Sequence, residues 1–288
     1  MSRSLIHNMP DMNDARLYVV ATPIGNLEDI TLRALDILAA VDVIAAEDTR
    51  RTRVLMSRYS LDKPLLILQE HNEEQKAPKL VERLCRGESI ALVSDAGTPL
   101  LSDPGFRLVR LASEAGIEVV TVPGPSSITA ALSISGLPTD RFTFEGFLPS
   151  RHTARVKCLS ALKSEPRTLV FFESSHRIRE SLEDLAEVLG EERAVALCRE
   201  MTKQFETVLR GSLGEVGQQV NSDQNQRKGE FVLVVAGCQP DSDSELDGAL
   251  ELARTLQEYL SASQAARIAA RVHGVSRREL YAELEQSG

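Results

Sequence analysis

Four apolar runs of strand length lie between residues 17 and 135, and each is followed by a short stretch rich in Gly, Pro, Asp, Ser or Thr. Leu17–Ala21 leads into Thr22-Pro23-Ile24-Gly25-Asn26, and Val41–Ala46 leads into Glu47-Asp48-Thr49-Arg50. The run 89–94 leads into the Asp95–Pro104 loop, and 117–122 leads into Pro123-Gly124-Pro125-Ser126-Ser127. Helical periodicity fills Ile30–Ala40, 73–86, 104–115 and 126–135, with Asn72 and Gln75 at capping-box spacing so that Asn72 reads as an N-cap. This alternation predicts an α/β segment with a mostly parallel sheet covered by helices on both faces. In an open parallel sheet, loops that follow strands gather along one edge, where such sheets bind ligands.

The longest of these loops, Ser94-Asp-Ala-Gly-Thr-Pro-Leu-Leu-Ser-Asp-Pro-Gly105, carries two glycines and two prolines. Those residues fix a rigid backbone that exposes peptide groups to a ligand. The loop has no lysine, so it is not a phosphate-gripping P-loop. It also lacks the Gly spacing of a dinucleotide site. A small molecule without phosphate, held by backbone groups, fits it better.

Gly136-Leu137-Pro138-Thr139-Asp140 reads as a boundary. Beyond it, strand signals at 141–147, 168–172, 194–199, 205–210 and 231–236 mix with helix signals at 152–163 and 176–189. This predicts a second α/β domain with a partly antiparallel sheet. Asn221–Lys228 reads as a hairpin-like loop, and Cys238–Ser244 as a linker. Residues 245–288 read as helical, with Gly274 at a turn and Ser276 as the next N-cap, a helix-turn-helix pattern. The expected organisation is a disordered tail at 1–16, domains at 17–137 and 138–238, and a helical appendage at 245–288.

The 288 residues carry a formal net charge of −9, so nucleic-acid binding by bulk charge is excluded and any such contact needs a local patch. One local patch is visible: residues 262–278 hold Arg267, Arg271, Arg277 and Arg278 and no acidic residue. Cys85, Cys158, Cys198 and Cys238 are scattered without a C-x-x-C pair, which predicts reduced thiols and no zinc site. Residues 1–16 lack the apolar core of a signal peptide, and no apolar run is long enough for a membrane span. The expected location is the cytoplasm.

Several longer motifs carry a resemblance. They are Thr22–Leu27, Ala46–Arg50, Ser94–Gly105, Pro123–Ser126, Glu145–Pro149, Phe172–Arg177, Arg199–Lys203 and Lys228–Glu230. In this order and along nearly the whole chain, they resemble the tetrapyrrole methylase superfamily. Within it they are similar to the branch that methylates a cytidine ribose 2′-hydroxyl in small-subunit ribosomal RNA. Ser175 departs from the pattern, which usually has Pro there.

The resemblance implies a two-domain fold, a parallel-sheet domain followed by a mixed-sheet domain, plus the helical appendage. It implies S-adenosylmethionine folded into the cleft between the domains, with no metal. Pro23, Ile24, Gly97, Thr98, Leu101, Ser127 and Ile128 should surround the cofactor, and Phe172 should close the other side. A cationic sulfonium disfavours Lys and Arg beside the sulfur. A ribose hydroxyl is a poor nucleophile and calls for a base or an electrostatic assist. Glu47, Asp48, Glu200 and Lys203 are the possible groups, and the sequence does not choose among them. Phosphate contacts would come from Arg50, Arg51 and Arg53, from Arg151, His152, Arg155 and Lys157, and from the four arginines of the tail. The expected partners are small-subunit RNA, in the assembled 30S subunit, and a second copy of the chain. Two other readings compete: a methylase of a tetrapyrrole or other small molecule, and a non-catalytic RNA-binding assembly factor.

Overall fold

The computed structural model describes residues 15–238 and 242–286. Residues 1–14, where a disordered tail was expected, lie outside the described residues. Arg16, placed in that tail by the sequence reading, instead opens the first strand.

Strands β1 (Arg16–Val20), β2 (Val43–Ala46), β3 (Leu65–Ile67), β4 (Ile90–Val93) and β5 (Glu118–Val122) form a parallel sheet in the order β3-β2-β4-β1-β5. Helices α1 (Leu32–Ala40), α2 (Thr49–Arg58), α3 (Glu70–Cys85), α4 (Phe106–Glu114) and α5 (Ser127–Ser135) connect and follow them. Successive strand residues point to opposite faces. Tyr18, Val20, Ile44 and Ala46 therefore enter one core, and Leu17, Val43, Ala45 and Leu92 enter the other. The fold class expected from the alternation is the one observed.

The second sheet has the order β6-β7-β10-β8-β9. It comprises β6 (Phe142–Phe147), β7 (Thr168–Ser174), β8 (Ala194–Arg199), β9 (Thr207–Ser212) and β10 (Glu230–Val235). Only β6–β7 is parallel; the other three pairings are antiparallel. Helices α6 (His152–Ala161), α7 (Ile178–Leu189) and α8 (Leu213–Ser222) belong to this part. Helix α5 buries Ile128, Ala131 and Leu132 against Val170, Ala196, Cys198, Val232 and Val234 of this sheet. Because that helix is shared, the chain through Lys163 and Arg167–Ala236 form one compact unit.

The second compact unit is Ser164–Pro166 together with the chain from Gly237 onward. Its helices are α9 (Ser242–Gln257), α10 (Ala262–His273) and α11 (Arg277–Gln286). Five alanines with Leu280 and Leu284 make its core, a composition that lets helices approach closely. A Cβ on Gly248 would lie 2.9 Å from the His273 ring. Gly274 caps α10 in the left-handed conformation, φ 71°.

Several elements differ from the expectation. Helix α3 starts at Glu70 with Gln69 as N-cap, and Asn72 is the reciprocal partner in the capping box instead of the cap itself. Helix α2 and strand β3 were not anticipated. The buried face of α2 is only Thr52, Leu55 and Met56, and β3 is a three-residue edge strand. Helix α8 and a 3-10 turn at Gln224–Arg227 replace most of the expected hairpin-like loop; Gly214 and Gly217 had masked the helical period. Helix α9 begins inside the expected linker.

Candidate active site

The loops after β1, β4 and β5 are tied together before any ligand is considered. Thr22 and Gly97 exchange two backbone hydrogen bonds of 2.9 Å, and the Thr22 hydroxyl donates to Ser94 O at 3.2 Å. The Thr98 hydroxyl donates to Pro125 O at 3.3 Å. In the loop after β4, Leu100 (φ 75°) and Ser102 (φ 66°) adopt the left-handed region, as do Gly97 and Gly105. For non-glycine residues that geometry costs about 1–3 kcal/mol each and persists only where surroundings impose it. Glu73 of α3 supplies part of that constraint. Its Oε1 accepts N–H bonds from Gly105, Arg107 and Leu108 at 3.2, 2.8 and 3.2 Å, capping α4.

A cavity of about 350 Å³ opens between these loops and the second sheet. Of the anticipated ligand-binding residues, Ile24, Gly97, Thr98, Leu101, Ser127, Ile128 and Phe172 all line it. Pro23 does not; it is buried beneath the loop, and its neighbour Ile24 takes the wall position.

Glu47, Glu200 and Lys203 also line the cavity, and Asp48 does not. Asp48 caps α2 by accepting the Arg50 N–H at 2.8 Å, and it holds the Arg50 guanidinium at 2.6 Å. Those bonds to Arg50 keep its carboxyl down at about 2. Asp48 is thus a structural cap, and Arg50 is its ion-pair partner. Lys203 Nζ sits 2.9 Å from both Glu200 Oε1 and Glu230 Oε2. Burial works to lower the Lys203 pKa, but the bonds to Glu230 and Glu200 outweigh it and raise it. That pairing favours the ammonium form of Lys203, in which it donates hydrogen bonds. Burial likewise works to raise Glu200, and its bonds to Lys203 and the Glu230 N–H bring it down.

Two groups missed from the sequence complete an acidic wall. Asp95 and Asp103 line the cavity beside Glu47. Asp95 Oδ1 accepts the Asp48 N–H at 2.9 Å, and the Asp95 N–H donates to Glu47 Oε2 at 3.4 Å. Burial pushes all three carboxyls above their ordinary values, Asp103 to about 6, with the Glu47 charge adding to the Asp103 shift. Both aspartates stood inside the Asp95–Pro104 loop already singled out; the signal was the paired acids in one ligand loop. Cationic side chains are present in the cavity as well. Arg51 and Lys203 line it, each tied to carboxylates, Arg51 at 3.5 Å from Asp95.

The anticipated phosphate contacts divide. Arg53, Arg151, His152, Lys157, Arg267, Arg271, Arg277 and Arg278 are exposed. Arg155 is not: its side chain is 2% exposed, with Nε 2.6 Å from Asp184 Oδ2. A phosphate contact there would take the guanidinium from the buried Asp184 and leave it only His152 Nδ1, 3.0 Å from its Oδ1, so Arg155 is a core ion-pair residue. Its register on α6 turns it inward, while Arg151 precedes the helix and stays outside.

Residues 16–217 match the family Tetrapyrrole (Corrin/Porphyrin) Methylases, and residues 242–286 match the RsmI C-terminal HTH domain. The ribosomal RNA small subunit methyltransferase I of Xylella fastidiosa (strain Temecula1 / ATCC 700964) is 53% identical over 265 residues, covering 92% of this chain and 97% of the relative. The protein of the same name from Escherichia coli O157:H7 is 50% identical over 283 residues, covering 98% and 99%. Among solved structures, the uroporphyrin-III C-methyltransferase from Thermus thermophilus complexed with S-adenyl homocysteine superposes with a TM-score of 0.53 at 20% identity. That match covers 76% of this chain and 96% of the other, and it shows the shared fold. With its cavity at the loop edge of a parallel sheet and these matches along nearly all its length, the chain belongs to the tetrapyrrole methylase family, in the branch of the ribosomal RNA small subunit methyltransferases I.

Proposed function

We propose that this chain is an S-adenosylmethionine-dependent methyltransferase that methylates a cytidine ribose 2′-hydroxyl in small-subunit ribosomal RNA. The observation that carries this reading is the acid-walled cavity in a chain about half identical, end to end, to enzymes named for that RNA. The cavity suits the cofactor chemically. Its volume of about 350 Å³ falls within the usual range of small-molecule sites. Ile24, Leu101, Ile128 and Phe172 offer apolar surface, and Thr98 and Ser127 offer hydroxyls. Glu47, Asp95 and Asp103 present negative charge, which a low-dielectric wall makes effective toward a cation.

When bound, the cofactor supplies an electrophilic methyl group on a sulfonium. The protein contributes placement, which supplies much of the barrier reduction for an in-line displacement. Lys203 offers an ammonium whose second partner, Glu230, is 69% exposed and readily exchanged. Freed from Glu230, it donates to the 2′-oxygen and stabilises the negative charge that develops there. Glu47, with its carboxyl raised by burial, is suited to accept the hydroxyl proton. Arg151 and the four exposed tail arginines hold phosphates.

In this reading residues 17–137 and 138–238 are the two halves of the catalytic part, and 245–288 is an RNA-capture appendage. The enzyme works in the cytoplasm as a homodimer on the assembled 30S subunit. The test supplies methyl-labelled cofactor to the purified protein with 30S subunits, free small-subunit RNA or a porphyrinogen. Label should enter RNA of the 30S subunit and stay out of the porphyrinogen; the reverse pattern would reject the reading.

A further inference from the structure

Strand β6 carries a defect with a directional consequence. Phe144 pairs with Val170 and Gly146 pairs with Phe171, so Glu145 is an extra residue with no partner on β7. Gly146 takes up the irregularity at φ 69°, where a side chain would be strained. Side chains alternate along a strand, so without the extra residue Phe147 would face the side of Leu169 and Phe171. The bulge reverses that. Phe147 instead pairs with Phe172 and shares the face of Phe144 and Val170. Bulges beside active sites commonly re-aim one side chain in this way.

The reversal brings Phe147 into the cavity wall. Phe172 meets both Phe144 and Phe147 edge to face, with centroids 4.8 and 5.5 Å apart and interplanar angles of 63° and 64°. Phe147 is nevertheless 52% exposed, while Ile24 and Ile128 in the same cavity are buried. The pair with Phe172 covers only part of the ring, and the rest leaves apolar surface in water at a position a bulge was needed to reach. The ring lines a cavity whose other walls are apolar and acidic.

We propose that Phe147 is the stacking platform for the base of the target cytidine. The proposal rests on the RNA-methylation reading above. A base drawn out of its strand keeps its π-face, and stacking on an aromatic side chain is how proteins hold such bases. The ring would fix the nucleotide so that its ribose meets Lys203 and Glu47, making Phe147 a substrate-binding and positioning residue.

The test compares Phe147→Ala, Phe147→Leu and Phe147→Trp with the wild-type enzyme. Methylation of 30S subunits gives KM and kcat, and calorimetry gives cofactor affinity. Stacking predicts that Ala and Leu both raise the KM for 30S subunits roughly tenfold or more, that Trp stays near wild type, and that cofactor affinity is unchanged in all three. Leu keeps the apolar bulk and lacks the π-face, so wild-type behaviour of Phe147→Leu would overturn the proposal. Lower cofactor affinity with an unchanged KM would overturn it too, by assigning the ring to the cofactor. A wild-type enzyme that methylates no 30S subunits would remove the reading beneath the proposal, and the proposal with it.

Discussion

Asp103 shows how one carboxyl joins the loop's geometry to its chemistry. It stands in the strained turn after β4, is forced up to about 6 by burial, and has Glu47 as a neighbouring charge. An acid whose folded pKa is raised destabilises the unliganded protein once ionised. Stability attributable to this group is therefore full below the ordinary carboxyl range and is lost as pH rises through about 6. A bound cation reverses the preference, because it favours the ionised form. Cofactor affinity should accordingly climb with pH through about 6 and then level, with proton release on binding below that point. Asp103→Asn should weaken binding and flatten the profile. Calorimetry in two buffers of different ionisation enthalpy measures both, and an unchanged pH profile in the variant would assign the acid wall no part in cofactor binding.

Secondary-structure elements were legible in proportion to how much apolar surface they bury. Strands β1, β2, β4 and β5 are wholly or partly buried apolar runs, and the loops behind them collected the ligand-binding residues as the alternation implied. Helix α2 is arginine-rich with a thin buried face, and β3 is a short edge strand; neither leaves a strong period. Charged residues were the least legible, because spacing does not say which side of a helix turns inward. Arg155 of α6 illustrates this. It bonds Asp184 of α7 and donates to Pro149 O and Ser150 O at 3.4 and 3.3 Å, fastening two helices and the loop that follows Phe147. Arg155→Ala should cost about 3 kcal/mol by leaving the buried Asp184 with only the His152 ring, whose Nδ1 is 3.0 Å from Asp184 Oδ1. Urea unfolding measures that cost. Full stability with weakened RNA binding would restore Arg155 to the RNA-contacting surface.

At the scale of the whole molecule, charge is gathered into local patches on a chain of net charge −9. The catalytic unit concentrates acids around its cavity, and the appendage concentrates arginines on α10 and at the start of α11. Among the described residues, Arg267, Arg271, Arg277 and Arg278 are exposed, and Arg277 donates to the Ser263 hydroxyl at 2.9 Å. The phosphate contacts proposed for these arginines would act through counterion release, so each one lost should flatten the dependence of binding on salt by about one unit of slope. Changing all four to Ala in the full chain should reduce methylation at limiting 30S subunits and leave cofactor affinity intact. Equal methylation by variant and wild type across salt concentrations would make the appendage a structural cap.

The position of the methyl group decides between these chemistries. The most direct measurement is nucleoside mass spectrometry of small-subunit RNA after incubation of 30S subunits with the enzyme and methyl-labelled cofactor. The expected result is a single labelled product, 2′-O-methylcytidine, absent when Lys203→Ala or Glu47→Gln replaces the wild-type chain. Label on a base, or label in RNA undiminished in both variants, would contradict it.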